Sequence, residues 1–381
     1  MSKIIIYFLV FISSYSMSSL NIDKLDTQSK NGTLFMSINS LHKIGIDLNR
    51  SKDIFILNTD IGQYSLKDNK IITPRREYTY VSKPFVSSEK DYLPLELILE
   101  LNGFYLEGNE VMKAKDIKSS NTLPKKIISL SPGITEKIFA LGGEDILVGR
   151  TSFATYPKEV ENIDIVGTMF EPNLEVIMNK NPDMVIAETH FRKKLMSTLN
   201  SLNILVTQYN TPKNILDIHD SITDLGALIG RGLEARGLNA SLKDKISYTR
   251  YILKDQDIPK VYYVLGSGKT DITPGGDTFI NSLMELAGGS NVAKEKSGWR
   301  YSLEELILSD PDIIFGSQRS IDNMLREDNY HFLTAIKDKK YYVIKENALF
   351  DLPGPRALTK GIYEMIRIFH PKSAEKLKDI H

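Results

Sequence analysis

The chain has 381 residues, enough for two or three domains, and its 41% hydrophobic and 25% charged residues are typical of a folded soluble protein. Basic and acidic residues both total 48, so the net charge is zero. Nucleic-acid binding, which needs a basic excess, is therefore not indicated. The sequence contains no cysteine, which excludes disulfides, thiol catalysis and cysteine-ligated metal centres.

Residues 1–19 have the pattern of a secretory signal peptide. Lys3 supplies a positive charge, and Ile4–Ile12 is an apolar run too short to span a bilayer comfortably. The small and polar residues that follow predict cleavage after Ser18 or Ser19; an uncleaved anchor or a buried strand is the alternative. We expect an exported protein that is free in a periplasm, since no cysteine is available for a lipid anchor.

Residues 20–115 predict a small domain of short strands and turns. The segment Gly32–Asn49 is partly repeated by Asp91–Asn109, and each copy predicts a strand, a short helix and a second strand. This region resembles the N-terminal domain of copper amine oxidases, an accessory module of exported bacterial proteins. The resemblance implies no copper site, because that module is not the catalytic part. A polar linker is predicted over 116–125.

After the linker, apolar strands alternate with helices, which predicts an α/β fold with largely parallel sheets. Residues 126–211 and 258–381 predict two Rossmann-like lobes. Between them, apolar residues recur at three- and four-residue intervals over 212–257, which predicts one long connecting helix, although Gly226 and Gly230 weaken it.

An internal repeat supports two related lobes. Asn173–Thr189 aligns without a gap with Ser302–Gln318, and each copy predicts a capped helix, a Pro-Asp turn and a buried strand. Ser302 and Glu305 also fit a capping box. The repeat predicts two similar lobes with a cleft between them; chance similarity between common αβ units is the alternative.

Several motifs after the linker resemble those of the periplasmic proteins that bind iron chelates, haem and cobalamin, the class with a single rigid helix between two lobes. They occur in the family's order at Ile127–Gly142, Pro172–Ala187, Gly275–Val292, Gly298–Leu306 and Gly354–Leu358. The resemblance implies an ABC importer's solute-binding protein, a monomer without catalysis or a resident cofactor, which delivers a ferric siderophore, haem or a corrinoid to a permease powered by a cytoplasmic ATPase.

The resemblance also implies a docking role for one surface glutamate in each lobe. Glu175 and Glu304 fall on those positions, and both lie in equivalent places of the internal repeat. Carboxylates pair well with permease arginines. The alternative is that each glutamate only complements the dipole of its helix.

The ligand is expected at the loops that follow the strands of each lobe. Aromatic and apolar candidates for its surface are Phe153, Tyr156, Met169, Phe170 and Trp299. Candidates for its anionic groups are Arg192, Arg300, Arg319 and Arg356, and for Arg356 a structural turn is an equal alternative. His190 is a candidate iron ligand in a haem complex, as are Tyr156 and Tyr301. Met169 replaces an aromatic residue of cobalamin binders, which argues against cobalamin.

Three other functions have less support in the sequence. An enzyme is disfavoured because the sequence has no P-loop, no GxSxG and no GxGxxG at a strand end; Gly266–Lys269 is only a fragment of a phosphate loop. A zinc or manganese binder would need several histidines and carboxylates in the cleft, where only His190 is predicted. A sensor or scaffold that lost transport remains the main alternative, with the N-terminal domain as the site for an envelope partner.

Overall fold

The computed structural model describes residues 20–107, 110–114, 123–188, 193–268, 270–345 and 348–380. The predicted signal peptide, most of the linker, His190 and Arg192 lie outside the described residues. Within them, no helix combines the length and apolar character that crossing a bilayer requires.

The N-terminal domain consists of antiparallel strands and two short helices. Both predicted strand-helix-strand units are confirmed, with Ser37 capping the first helix by accepting a hydrogen bond from the N–H of Ser40. Hydrogen bonding joins the strands into three sheets, in the orders β1-β12-β11, β2-β3-β10-β9 and β4-β5-β6-β7-β8. The elements are β1 (Leu20–Asn21), β2 (Thr27–Lys30), β3 (Thr33–Ser37), α1 (Ile38–Lys43), β4 (Asp47–Ser51), β5 (Ile54–Thr59), β6 (Gly62–Lys67), β7 (Lys70–Ile72), β8 (Glu77–Thr79), β9 (Phe85–Ser87), β10 (Lys90–Pro94), α2 (Leu95–Leu101), β11 (Phe104–Glu107) and β12 (Glu110–Lys113).

Lobe 1 is a four-stranded parallel sheet in the order β14-β13-β15-β16, with helices between the strands. The central strand β13 has no exposed residue, as expected for a strand covered on both faces. The elements are β13 (Ile127–Ser129), α3 (Pro132–Ala140), β14 (Leu147–Arg150), α4 (Leu174–Lys180), β15 (Met184–Glu188), α5 (Lys193–Ser201) and β16 (Leu205–Tyr209).

The connecting segment contains two helices, so the prediction of one helix over 212–257 is wrong. They are α6 (Ile215–Leu228) and α7 (Gly232–Leu253). Gly230 ends α6 with a φ of 69°, which a residue with a side chain rarely adopts. The two helices then pack closely, since a Cβ added at Gly226 would lie only 2.4 Å from the Cβ of Ala235.

Lobe 2 repeats the architecture with a parallel sheet in the order β19-β17-β21-β22 and an added antiparallel pair, β18 and β20. Its elements are β17 (Lys260–Val264), β18 (Thr270–Ile272), α8 (Phe279–Leu286), β19 (Ser290–Asn291), β20 (Arg300–Ser302), α9 (Leu303–Ser309), β21 (Ile313–Gly316), α10 (Gln318–Leu325), α11 (Thr334–Lys337), β22 (Tyr341–Val343), α12 (Ala348–Asp351), α13 (Ile362–Phe369) and α14 (Pro371–Ala374).

The internal repeat corresponds to a structural repeat of α4–β15 and α9–β21. Asn181 and Asp310, which align with each other, end the two helices in the left-handed conformation, with φ of 46° and 42°. Asp183 and Asp312 also align. Asp183 accepts a hydrogen bond at 2.9 Å from the N–H of Lys126, which directly precedes β13, and Asp312 accepts one at 2.7 Å from the N–H of Lys260, the first residue of β17. The capping box of Ser302 is confirmed.

The N-terminal domain packs directly on α7 and on lobe 1. The Tyr64 hydroxyl donates to the carbonyl of Leu233 at 3.1 Å, and the Asp244 carboxylate accepts hydrogen bonds from the backbone N–H groups of Val81 and Ser82. A single hydrophobic core runs through this domain, lobe 1, the connecting helices and part of lobe 2. Burial of apolar side chains therefore holds the N-terminal domain against the rest of the molecule.

Candidate functional site

The loop after β14 presents aromatic side chains and is held from below by a buried arginine. Arg150 is 7% exposed, and its guanidinium donates to the carbonyls of Val160 at 2.8 Å and Ala154 at 3.0 Å. These bonds fix the loop that carries Phe153. The ring of Phe153 meets that of Phe170 edge to face at 6.5 Å, and the two side chains are 48% and 54% exposed.

Phe170 and Met169 sit on a tight turn of lobe 1. The Thr168 hydroxyl accepts hydrogen bonds from the N–H groups of Phe170 at 3.3 Å and Glu171 at 2.9 Å. Met169 is half-buried in this turn. The structure thus brings Phe153 and Phe170 together as an exposed aromatic pair, a surface on which a flat ligand can stack.

Lobe 2 offers an aromatic side chain beside a cationic one. Trp299, the only tryptophan of the sequence, is 46% exposed, and Arg300 next to it is also exposed. The carbonyl of Trp299 accepts a hydrogen bond from Thr273 at 3.0 Å, and Asp277 accepts one from the N–H of Gly298 at 2.7 Å. The loop backbone is therefore fixed while the two side chains remain available.

Arg319 lies in a recess of about 400 Å³ between the loop after β17 and the first turn of α10. The side chain of Ser317 caps α10, and the hydroxyl of Ser320 donates to the carbonyl of Leu265 at 3.0 Å. The hydroxyl of Ser267 is buried there and has no hydrogen-bond partner in the described part of the chain. An exposed guanidinium, a helix N-terminus and an unpaired hydroxyl together suit an anionic group.

Two buried charges lie beneath the carboxyl edge of the lobe 1 sheet. Glu188 ends β15, is 9% exposed, and its Oε1 accepts no hydrogen bond from the residues described. Burial lowers the pKa of Lys137, an effect that the carboxylates of Glu188 and Glu136 oppose. A buried lysine therefore lies near two buried carboxylates under this edge of the sheet, and sequence reasoning selected none of the three as site residues.

The two lobes meet at the N-terminal half of α3. A Cβ added at Gly133 would lie 3.3 Å from the carbonyl oxygen of Pro353. The buried Glu136 of lobe 1 accepts hydrogen bonds from the N–H of Arg356 at 2.7 Å and from its Nε at 3.3 Å. Burial raises the pKa of Glu136, and the hydrogen bonds and charge of Arg356 oppose this.

Arg356 and Tyr156 lie together at this contact between the lobes. The guanidinium of Arg356 stacks 3.9 Å from the centre of the Tyr156 ring. Both line a cavity of about 670 Å³ that is bounded by α3, α7 and the β7–β8 turn of the N-terminal domain. These contacts fit a structural role for Arg356 better than a contact with a ligand anion. The ring of Tyr156 covers the ion pair of Arg356 and Glu136.

Glu175 and Glu304 occupy the first turns of α4 and α9 and are exposed. The repeat therefore places one carboxylate on an equivalent helix of each lobe. Glu305, beside Glu304, is committed to the capping box and pairs with Lys296.

Tyr301, a candidate iron ligand, is only 5% exposed, because it packs in the core of lobe 2 and its hydroxyl bonds to that of Ser309 at 2.7 Å. The other selected side chains among the described residues are exposed or half-buried, but sequence reasoning missed the residues that hold them. Arg150, Glu136 and Ser267 are the main omissions. The partner of Glu136 is 220 residues away along the chain, and Arg150 bonds only to backbone carbonyls of the loop that follows it, so no sequence motif marks either residue. The candidate Arg319 and the phosphate-loop fragment Gly266–Lys269 both pointed towards the recess that contains Ser267. Among the residues described, no cluster of three or more histidine, aspartate or glutamate side chains could hold a metal ion.

Comparisons with known proteins agree with this geometry. The profile of the periplasmic binding protein family matches residues 127–348. An uncharacterized ABC transporter substrate-binding lipoprotein of Bacillus subtilis, YvrC, is 30% identical over 65% of this chain and 81% of its own length. A cobalamin-binding protein of Halobacterium salinarum is 30% identical over an aligned region that covers 50% of this chain and 53% of that protein. The crystal structure of an ABC transporter substrate-binding protein from Listeria monocytogenes superposes with a TM-score of 0.57 at 25% identity, covering 66% of this chain and 100% of that one.

Proposed function

The chain belongs to the periplasmic binding protein family, and from this membership we propose that it captures a bulky metal chelate outside the cytoplasmic membrane and delivers it to an ABC permease. The ligand classes are a ferric siderophore, haem or a corrinoid. The proposed role is binding without catalysis. Transport energy would come from the ATPase on the cytoplasmic side.

The observation that carries this proposal is the matching chemistry of the two lobes. Lobe 1 exposes the Phe153–Phe170 pair on two loops, and lobe 2 exposes Trp299 and Arg300 where a loop enters β20. Hydrogen bonds hold the backbone at both places. Aromatic faces bury a large apolar area of a planar or globular chelate, while guanidinium groups pair with its carboxylates. The recess around Arg319 supplies a further place for an anionic group.

The two exposed glutamates support the delivery step. Glu175 and Glu304 lie on equivalent helices of the two lobes, so two related halves of a permease can each engage one carboxylate. His190 and Arg192 stay predictions, since both lie outside the described residues.

The test is a titration of the purified full chain with haemin, cobalamin and a panel of ferric siderophores, followed by ligand absorbance and by the fluorescence of the single tryptophan. We expect saturable one-to-one binding of one of them. Phe153→Ser and Phe170→Ser should weaken it by about tenfold or more. Tyr105→Ser is the matched control, since Tyr105 is a 41% exposed aromatic residue of the N-terminal domain.

A new Soret band that disappears in His190→Ala would assign haem with histidine ligation. Equal weakening by the lobe variants and by Tyr105→Ser would contradict the placement of the ligand. Absence of saturable binding across the whole panel would favour an envelope sensor or scaffold instead.

A further inference from the structure

We propose that lobe 2 carries an apolar contact surface beside Glu304, formed by Ile307, Leu308 and Phe332, that fits the external face of an ABC permease. We call these three residues the lobe 2 patch. The proposal rests on the proposed function and adds to it which lobe supplies most of the contact and by what chemistry.

The patch begins with a feature that the two lobes share. Met178 follows Glu175 by three residues on α4, and Ile307 follows Glu304 by three residues on α9, so each pair lies on one helix face. Met178 is 47% exposed and Ile307 is 41% exposed. Each docking carboxylate therefore has one exposed apolar neighbour in the next turn.

The lobes then differ. Leu308 is 85% exposed, and the residue that aligns with it in lobe 1 is the polar Asn179. Phe332 is 70% exposed and lies two residues before Thr334, whose N–H donates to the Asp310 carboxylate at 2.8 Å. This bond holds the Phe332 segment against the C-terminal end of α9. Three large apolar side chains are thus exposed at one helix end.

The fold of lobe 2 does not use these side chains. The buried contact of α9 with the sheet is made by Leu306, which is 0% exposed and belongs to the core of the lobe. Leu308 and Phe332 instead leave apolar area in water, which is unfavourable unless another surface covers it.

Charge indicates what covers it. Among the residues described, neither Glu175 nor Glu304 forms an ion pair, so both carboxylates are free to accept a partner's cations. A carboxylate beside an apolar patch repels an anionic lipid surface and suits a protein surface with basic residues flanked by apolar ones. We expect a permease with two related halves to present such a surface to each lobe, and lobe 2 then to contribute more of the contact than lobe 1.

The test places a photoreactive amino acid at residue 308 or 178 of the full chain and irradiates it with membrane vesicles of the cell that makes the protein. Peptide mass spectrometry identifies the attached protein. We expect an ABC permease, with a stronger yield from residue 308 than from residue 178. Val86, 61% exposed in the N-terminal domain, is the control position and should give no permease adduct.

Affinity for the same vesicles gives a second readout. Leu308→Ser and Phe332→Ser should each weaken binding by more than about fivefold. Asn179→Leu, which gives lobe 1 the residue of lobe 2, should strengthen it. Ile258→Ser, at a 69% exposed position of lobe 2 outside the patch, is the matched control and should have no effect.

The outcomes separate the two proposals. If Glu175→Ala and Glu304→Ala weaken binding while the patch variants do not, the patch is refuted and permease docking stands. If an adduct forms with another envelope protein or with lipid, the assignment of the patch to a permease is overturned. If neither the glutamate variants nor the patch variants change binding, and no permease adduct forms, permease docking itself is refuted.

Discussion

The stability of the joint between α6 and α7 should depend on the protonation of one buried histidine. His219 is 5% exposed, and its Nδ1 lies 2.8 Å from Oδ1 of Asn239. The Asn239 amide donates to the carbonyl of His219 at 3.0 Å and to Thr223 at 2.9 Å. Its Oδ1 is thus the acceptor, and Nδ1 of the neutral imidazole is the donor.

Burial lowers the pKa of His219 from 6.5 to about 4, although the hydrogen bond to Asn239 opposes this shift. Between these two pH values the unfolded chain binds a proton that the native protein does not, so the free energy of unfolding falls as the pH falls. One pH unit corresponds to about 1.4 kcal/mol, which gives a loss of about 2–3 kcal/mol between pH 7.5 and pH 4.5.

The assay is urea unfolding of the full chain and of His219→Gln at a series of pH values. The variant should be less stable than the parent at pH 7.5, and the gap should shrink by about 2–3 kcal/mol at pH 4.5, because glutamine does not titrate. His331→Gln, at an exposed histidine, is the control and should follow the parent at every pH. Parallel pH curves for the parent and His219→Gln would refute the reasoning.

Three further changes test the packing of the molecule. Arg356→Met should lower the free energy of unfolding by about 3–5 kcal/mol by leaving the Glu136 carboxylate buried without its cation, and adding Glu136→Gln should restore most of it, as calorimetry can measure. Asp244→Ala removes the acceptor of two backbone N–H groups of the N-terminal domain, so it should lower the free energy of unfolding by about 1–3 kcal/mol and speed proteolysis of that domain. Unchanged proteolysis would contradict the role of Asp244 in holding the domain on α7. Gly226→Ala should lower the free energy of unfolding by about 1–3 kcal/mol, because its Cβ would lie 2.4 Å from a side-chain atom of α7. Gly232→Ala, whose Cβ would have its nearest contact at 3.7 Å, should leave it nearly unchanged. Equal melting temperatures of the two variants would refute the close packing.

The sequence predicted the features that depend on local patterns. The α4–β15 and α9–β21 repeat, the capping box and the strand-helix-strand units of the N-terminal domain all follow from caps, turns and apolar periodicity within short segments. The family motifs likewise identified the two-lobed fold, because they lie at strand ends and helix starts whose spacing the fold fixes.

The features that the sequence did not decide depend on contacts made only in the folded chain. Apolar periodicity continues through Gly230, so it could not show that α6 ends there and packs back on α7. For Arg356 the sequence left an anion contact and a structural turn equally open, and only folding brings Glu136 and Tyr156 to it. The exposure of Leu308 was equally hidden, since an isoleucine-leucine pair at a helix end reads as core.

The packing of the N-terminal domain limits how the two lobes can move. The domain bonds to α7 through Asp60–Arg236 at 2.6 Å and to lobe 1 through Arg76, which donates to the carbonyl of Phe139 at 3.0 Å. Swinging lobe 1 away from α7 would break these polar contacts and expose part of the shared hydrophobic core. Lobe 1, α7 and the N-terminal domain are therefore expected to move as one body. The same core includes Val261, Tyr263 and Leu283 of lobe 2, so a large movement of lobe 2 would also expose apolar surface. A partner of the N-terminal domain must bind a face that α7 leaves uncovered.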